Sequence, residues 1–160
     1  MESVLTLRHL EPTDYRPIIS VVDEWWGGRN MAGMLPRLFF THFRQTSFVA
    51  ERDVERVGFL VGFFSQTFAD QAYVHFLGVH PDYRGQGVAA ALYEQFFSVA
   101  RQAGRDTIRL VTAPVNATSI AFHLHMGFEA QPGDAEIDGV PYKRDYDGPG
   151  EDRVVFTKWI

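Results

Sequence analysis

The chain has 160 residues, enough for one domain and short for two. Hydrophobic residues make up 46% and charged residues 22%, a globular composition that excludes a disordered chain. The formal net charge of −5 argues against wholesale nucleic-acid binding and mildly favours a cationic small substrate, and the absence of cysteine excludes disulfides, thiolate nucleophiles and cysteine-ligated zinc.

Residues Val4 to Leu10, "VLTLRHL", alternate and predict a strand. Thr13 or Asp14 is the expected N-cap of a helix that carries Tyr15, Ile18, Ile19, Val22 and Trp25 or Trp26 at helical spacing. Pro17 falls in or just after its first turn, where a missing N–H costs little, and Gly27 and Gly28 stop it. "MLPRLFFTHFR" predicts a second, short helix. "SFVAERD" and "RVGFLVGFFSQ" read as a hairpin turning near Val54 and Glu55, with "TFADQ" as the next turn. Ala72 to Val79, "AYVHFLGV", is apolar on both faces and predicts a central strand.

A helix follows from about Gly87 to Ala103, with Val88, Leu92, Phe96 and Val99 on one face and Gly104 closing it. "TIRLVTA" is the next strand. "NATSIAFHLHM" predicts a helix with Asn116 as N-cap and Gly127 at its end. "FEAQ" reads as a short strand, Pro132 to Asp152 as a long mobile loop, and "RVVFTKWI" as the closing strand. The strand–helix–strand from Ala72 to Ala113 predicts a parallel, right-handed crossover. No repeat, linker or second domain is visible, so the reading is a single domain over 1–160. The longest apolar stretch, "VGFLVGFF", is too short to span a bilayer, and no secretory leader is visible, so the expected setting is soluble and cytoplasmic.

Chemistry concentrates in "HPDYRGQGVAAAL", His80 to Leu92. The first N–H groups of a helix have no internal partner, and the helix dipole favours negative charge there. Gly85 and Gly87 let an anion approach the backbone, and Arg84 adds a fixed positive charge. This is the chemistry of a phosphate or pyrophosphate seat, although a plain structural turn would carry the same glycines. The string also fits Gly-x-Gly-x-x-Ala, the dinucleotide pattern. "HPDY" separates strand from turn, however, and no acid stands in Thr107 to Ala113. No Gly-Lys-Ser/Thr occurs, which excludes a Walker A loop.

"FLGVHPDYRGQGVAAALY" resembles the acetyl-CoA motif of the GNAT superfamily of N-acetyltransferases, Val-x-Pro-x-x-Arg-Gly-x-Gly followed by a small residue. Arg84, Gly87 and Ala89 fall on its defining places. "NATSIAFHLHMGFE" is similar to the second family signature, an asparagine, a helix, then Gly-Phe. The order of elements is also the family's. The resemblance covers essentially the whole chain. It implies an α/β (α+β) GNAT fold, with a mixed, mostly antiparallel sheet of about six to seven strands and about four helices.

The same resemblance implies a function: direct transfer of acetyl from acetyl-CoA to a primary amine of a small molecule or peptide, without an acyl-enzyme and without metal. The bulged strand at Leu77, Gly78 and Val79 would hold the pantetheine arm as an added pseudo-strand. The amides of Arg84, Gly85, Gln86, Gly87, Val88 and Ala89 would hold the pyrophosphate. Asn116, Ser119 and Phe122 of the last helix would flank the arm. His75 stands where the family has a glutamate general base, on the same strand face as Leu77. A histidine pKa of about 6.5 suits that task, though the residue could equally be packed among aromatics. His123 falls where the family has a tyrosine that protonates the departing sulfur; as an imidazolium it could do the same, or it could only hydrogen-bond the cofactor or a water.

Trp25, Trp26 and Arg29 are the candidate acceptor residues, with Asp23 or Glu24 as attractors of a cationic amine. Core packing for one tryptophan and a lid role for the other is the competing reading. Ser119 and His123 at i, i+4 do not make a hydrolase, since no nucleophile elbow surrounds the serine. His123 and His125 point about 200° apart on a helix and cannot share one metal ion. A homodimer is common in the family. Two other functions fit parts of the pattern: a GNAT-like acyl-CoA sensor or subunit without turnover, and a nucleotide-dependent oxidoreductase.

Overall fold

In the computed structural model, residues 4–160 are described. They fall into two compact units, 4–64 with Val74–Ala103, and Ser65–Tyr73 with Gly104–Ile160.

The first unit begins with β1 (Leu5–His9), which pairs antiparallel with β2 (Phe48–Arg52); β2 pairs antiparallel with β3 (Glu55–Phe64). The turn of the β2–β3 hairpin is Asp53-Val54, both at positive φ, 48° and 62°. Two residues at positive φ are what a primed turn needs to match strand twist, and here no glycine supplies them.

Helix α1 (Tyr15–Trp25) follows a 3-10 turn over Pro12–Asp14. Asp14 stands at the N-cap, as expected, but its side chain makes no cap bond. Its carboxylate is bound by Arg8 and Arg56 and by the Glu11 N–H instead. Ile18, Val22 and Trp25, at i, i+4 and i+7, form the buried stripe of α1. They pack with Leu35, Phe40, Val49, Phe59, Val61 and Phe76. Each such side chain taken from water stabilises by about 1.5–3 kcal/mol. The short α2 is Leu38–His42.

Strand β4 (Gln71–Val79) has its first three residues in the second unit and the rest in the first. Its residues alternate between buried and half-buried along the whole strand. Apolar composition on both sides therefore marks a central position but not two fully buried faces. Helix α3 (Val88–Gln102) buries Val88, Leu92, Tyr93, Phe96, Phe97 and Ala100. Gly58 on β3 lets it come close: a Cβ there would lie 2.7 Å from Val88 Cγ1 and 3.2 Å from Leu92 Cδ1.

In the second unit, β5 (Thr107–Thr112) pairs parallel with Gln71–Tyr73 and antiparallel with β9 (Val154–Trp159). Helix α4 (Ala117–His125) leads to the two-residue β6 (Glu129–Ala130), also antiparallel to β9. The seven strands follow the order β1-β2-β3-β4-β5-β9-β6, the mixed and mostly antiparallel sheet that the resemblance implied.

The expected loop from Pro132 to Asp152 is in part ordered sheet. It contains an antiparallel hairpin, β7 (Ala135–Ile137) and β8 (Val140–Tyr142), turned on Asp138-Gly139 at φ 47° and 80°. Asp-Gly between short strands is a strong two-residue hairpin signal. It was masked by the surrounding charge and proline. After it, Asp145 Oδ1 accepts from the Gly150 N–H and Asp152 Oδ1 accepts from the Asp145 N–H, which folds the segment onto itself.

Candidate functional site

The turn between β4 and α3 is built from its ends inward. His80 caps a 3-10 turn over Pro81–Tyr83, its Nδ1 accepting from the Asp82 N–H at 3.0 Å. Tyr83 donates its O–H to Glu55 at 2.7 Å, and Glu55 lies 3.8 Å from His80 Nε2. These three side chains brace the residues that follow. Gly85 and Gly87 have φ of 76° and 81°, and an added Cβ on either would meet nothing within 4 Å. Gly87 caps α3 without any side-chain bond. Among the described residues, the N–H groups of Gly85 to Ala90 meet no acceptor. The result is a bare, left-handed cradle of amides at a helix start, the geometry that accepts a diphosphate.

The Arg84 guanidinium does something other than extend that cradle. Its Nη2 donates to the Trp25 carbonyl and its Nε to the Val79 carbonyl at 3.3 Å. Beside this turn opens a cleft of about 470 Å³ lined by Glu24, Trp25, Glu55, His80 and Asp82 among others.

Packing requires a glycine at Gly78. A Cβ there would lie 2.7 Å from Phe59 Cε1 and 2.8 Å from Trp26 Cη2. His75 stacks on Phe39 of α2 with ring centroids 4.2 Å apart and an interplanar angle of 13°. Its neighbour Phe76 packs on Trp26 and Phe59, at 4.8 Å and 5.7 Å. Phe59 and Phe76 belong to one buried cluster, and Trp26 and Phe39 pack against it. Burial alternates without a break along β4, so His75 stands on the same face as Leu77, as expected, with Phe76 and Gly78 on the other.

The His75 ring is half-buried. Its Nε2 lies 2.6 Å from the Met34 carbonyl, which can only accept, so Nε2 carries the proton. Nδ1 is then the basic nitrogen, and it meets no hydrogen-bond partner among the described residues. Burial pushes the His75 pKa below 6.5, against the smaller opposing effect of the Met34 carbonyl. The ring is therefore neutral at neutral pH. Phe39 packs on Phe43 and Phe43 on Phe63, at 5.0 Å and 5.7 Å, extending an aromatic wall from the imidazole. Phe39 and the Met34 carbonyl were not found from sequence. Nothing in "MLPRLFF" distinguishes a residue that faces the strand from one that fills the core.

The tryptophans separate. Trp25 is 6% exposed and packs on Phe59 and His80 as a core residue, while also lining the cleft beside the turn. Trp26 is half-buried and covers Gly78. Asp23 is occupied: its Oδ1 accepts from the Met31 and Ala32 N–H groups at 2.7 Å and 2.8 Å, closing the loop after α1. Glu24 and Arg29 are exposed.

In the second unit, Asn116 caps α4 as expected, its Oδ1 accepting from the Ser119 N–H at 3.2 Å. Asn116, Ser119 and Phe122 are half-buried. His123 departs from the expected role as acid. It is 4% exposed and enclosed by Phe122, Phe128 and Phe156, with centroids at 5.2, 5.3 and 5.5 Å. Its Nδ1 donates to the Ser119 carbonyl at 2.7 Å. Burial pushes its pKa down to about 4, outweighing that hydrogen bond. At neutral pH it is a neutral imidazole with no imidazolium proton to give.

That burial has a measurable consequence. The folded state binds the His123 proton about 2.5 pH units less readily than the unfolded chain, whose value is 6.5, so its contribution is intact above pH 6.5 and is lost as pH falls towards about 4. The full loss is about 3 kcal/mol. Urea melts of the wild type and of His123→Phe at pH 7 and pH 5 check it. The wild type should lose about 2 kcal/mol more than the variant between those two pH values. Parallel losses would show that the ring is not buried neutral.

Fold and turn together define a mixed α/β scaffold with an anion cradle at a helix start. The sequence profile of the acetyltransferase (GNAT) family matches residues 7–128. The chain belongs to that family of acetyltransferases. The L-2,4-diaminobutyric acid acetyltransferase of Nocardia farcinica is 31% identical over 84 residues, which cover 52% of this chain and 44% of that protein. The chain thus matches less than half the length of that curated relative. Among solved structures, a GNAT-family acetyltransferase from Desulfovibrio desulfuricans superposes with TM-score 0.79 at 17% identity, covering 98% of this chain and 99% of that one. The diaminobutyrate acetyltransferase EctA from Paenibacillus lautus, solved with L-2,4-diaminobutyric acid and coenzyme A, gives 0.69 at 18% identity, covering 98% and 95%. At these identities the likeness concerns the fold.

Proposed function

We propose that the chain transfers the acetyl group of acetyl-CoA directly to a primary amine, with His75 as general base. The observation that carries this reading is the left-handed amide cradle at Gly85–Ala89, open to a diphosphate and on the same unit as a neutral imidazole with a free basic nitrogen. When bound, acetyl-CoA supplies an activated thioester.

The residues divide the remaining work. The amides of Gly85 to Ala89 hold the diphosphate, and the backbone of Leu77 to Val79 holds the pantetheine arm. Asn116, Ser119 and Phe122 are assigned to the coenzyme on the family resemblance. His75 Nδ1 takes the proton from the amine as its nitrogen bonds to the carbonyl carbon. The C–S bond breaks, and the thiolate takes its proton from water, since His123 is neutral.

The acceptor is a small-molecule or peptide amine. Diaminobutyrate, named for two of the relatives, is the first to test. Trp26 and Arg29 are assigned to the acceptor side, with the Phe39–Phe43–Phe63 wall as its apolar lining.

The test is a panel of amines incubated with acetyl-CoA while free thiol is followed. The protein has no cysteine, so it adds no thiol of its own. Amine-dependent thiol release is expected. Coenzyme binding with no release across the panel would sink catalysis and leave a sensor. No binding at all would sink the site.

A further inference from the structure

Arg84 sits in the coenzyme turn, yet its side chain reaches away from the bare amides. The guanidinium fork spans two carbonyls, that of Trp25 at the end of α1 and that of Val79 at the end of β4. A planar fork with donors in fixed directions suits two such acceptors, which a single ammonium serves less well. Trp25 is the last residue of α1, where carbonyls lack helical partners and a cation is favoured.

Beyond Trp25, the chain is tied at each step. Gly28 N–H donates to the Asp23 carbonyl at 2.8 Å, and Asp23 Oδ1 holds the Met31 and Ala32 amides. Met34 then offers its carbonyl to His75 Nε2. One hydrogen-bonded route thus runs from the coenzyme turn through residues 25–34 to the candidate base.

We propose that the Arg84 side chain is a positioning residue: it fixes the 25–34 loop, and through Met34 the His75 ring, rather than serving as a diphosphate ligand. This rests on the acetyltransferase reading above for its consequence, but not for its geometry. The amide of residue 84 persists in any variant, so the loss of the side chain separates the two roles. Coupled to turnover, the same tie makes acceptor affinity depend on the coenzyme turn.

Hydrogen exchange on the free protein and with coenzyme A decides it, using Arg84→Ala and Arg84→Lys. In Arg84→Ala, amides 26–34 should exchange about tenfold faster. Coenzyme affinity by calorimetry should change less than about threefold, while KM for the best amine of the panel rises about tenfold. Arg84→Lys keeps the charge without the fork and should keep the faster loop. Unchanged exchange at 26–34, with coenzyme affinity reduced about tenfold or more, would make the side chain a phosphate ligand and overturn the proposal. Full protection in Arg84→Lys would overturn the two-carbonyl geometry. If the wild type acetylates nothing, the acetyltransferase reading fails, while the exchange of the free proteins still judges the loop.

Discussion

Replacing His75 with glutamine should lower kcat by about 100- to 1,000-fold while coenzyme A binds as before, the range expected when a positioned base is removed. Glutamine is the informative choice because of the ring's two nitrogens. Nε2 donates to the Met34 carbonyl, and a glutamine amide can replace that donor. Nδ1 is the proposed proton acceptor, and glutamine has no basic nitrogen to replace it. A merely structural role would therefore survive the change, and a basic role would not.

The pH profile separates the two further. Burial lowers the His75 pKa, so the ring keeps its lone pair below pH 6.5 as well as above it. The acid limb of kcat/KM should fall below 6.5, and it should vanish from the residual activity of His75→Gln. A variant within about threefold of wild-type kcat, with an unchanged acid limb, would remove His75 from the chemistry.

The contrast between the two histidines shows what the sequence can carry. Gly85 and Gly87 were legible because positive φ at a helix start is a local demand, written in the residue itself. Asn116 was legible for the same reason: a cap is a contact three residues long. His75 and His123 both stood at family positions, and the letters alone gave them equal standing. What separates them is tertiary. Three phenylalanines from α4, the β6 approach and β9 enclose His123, whereas one face of His75 lies on Phe39 and its Nδ1 stays unspent. Trp25, Asp23 and Arg84 have contacts that the letters did not show, for a related reason. Each is claimed by partners distant in sequence or by backbone groups that no pattern of letters displays.

The largest stability effect should come from Asp14, a residue whose only sequence signal was a possible cap. Its side chain has no exposure, and its two oxygens accept four bonds. Arg8 gives two, at 2.9 Å and 2.8 Å, Arg56 gives one at 2.7 Å, and the Glu11 N–H gives one at 2.8 Å. These tie β1, β3 and the start of α1 to one carboxylate. Burial alone would raise its pKa, but the bonds from Arg8, Arg56 and Glu11 outweigh burial and hold it below 3.8. Asparagine keeps the shape and loses the charge, and it turns an NH₂ towards guanidinium donors. Asp14→Asn should therefore cost about 3–5 kcal/mol, as when one partner of a buried pair is removed. Against a total of about 5–15 kcal/mol, that is enough to leave a marginal protein partly unfolded at 37 °C. Urea denaturation at pH 7 measures the loss directly. Because the folded pKa is depressed, the wild-type contribution is present above pH 3.8 and is lost as pH falls through the folded value. The variant should lack that step in acid titrations of stability. A cost under about 1 kcal/mol would mean that Arg8 and Arg56 are satisfied equally well by solvent, and that the cluster does not fix the entry of α1.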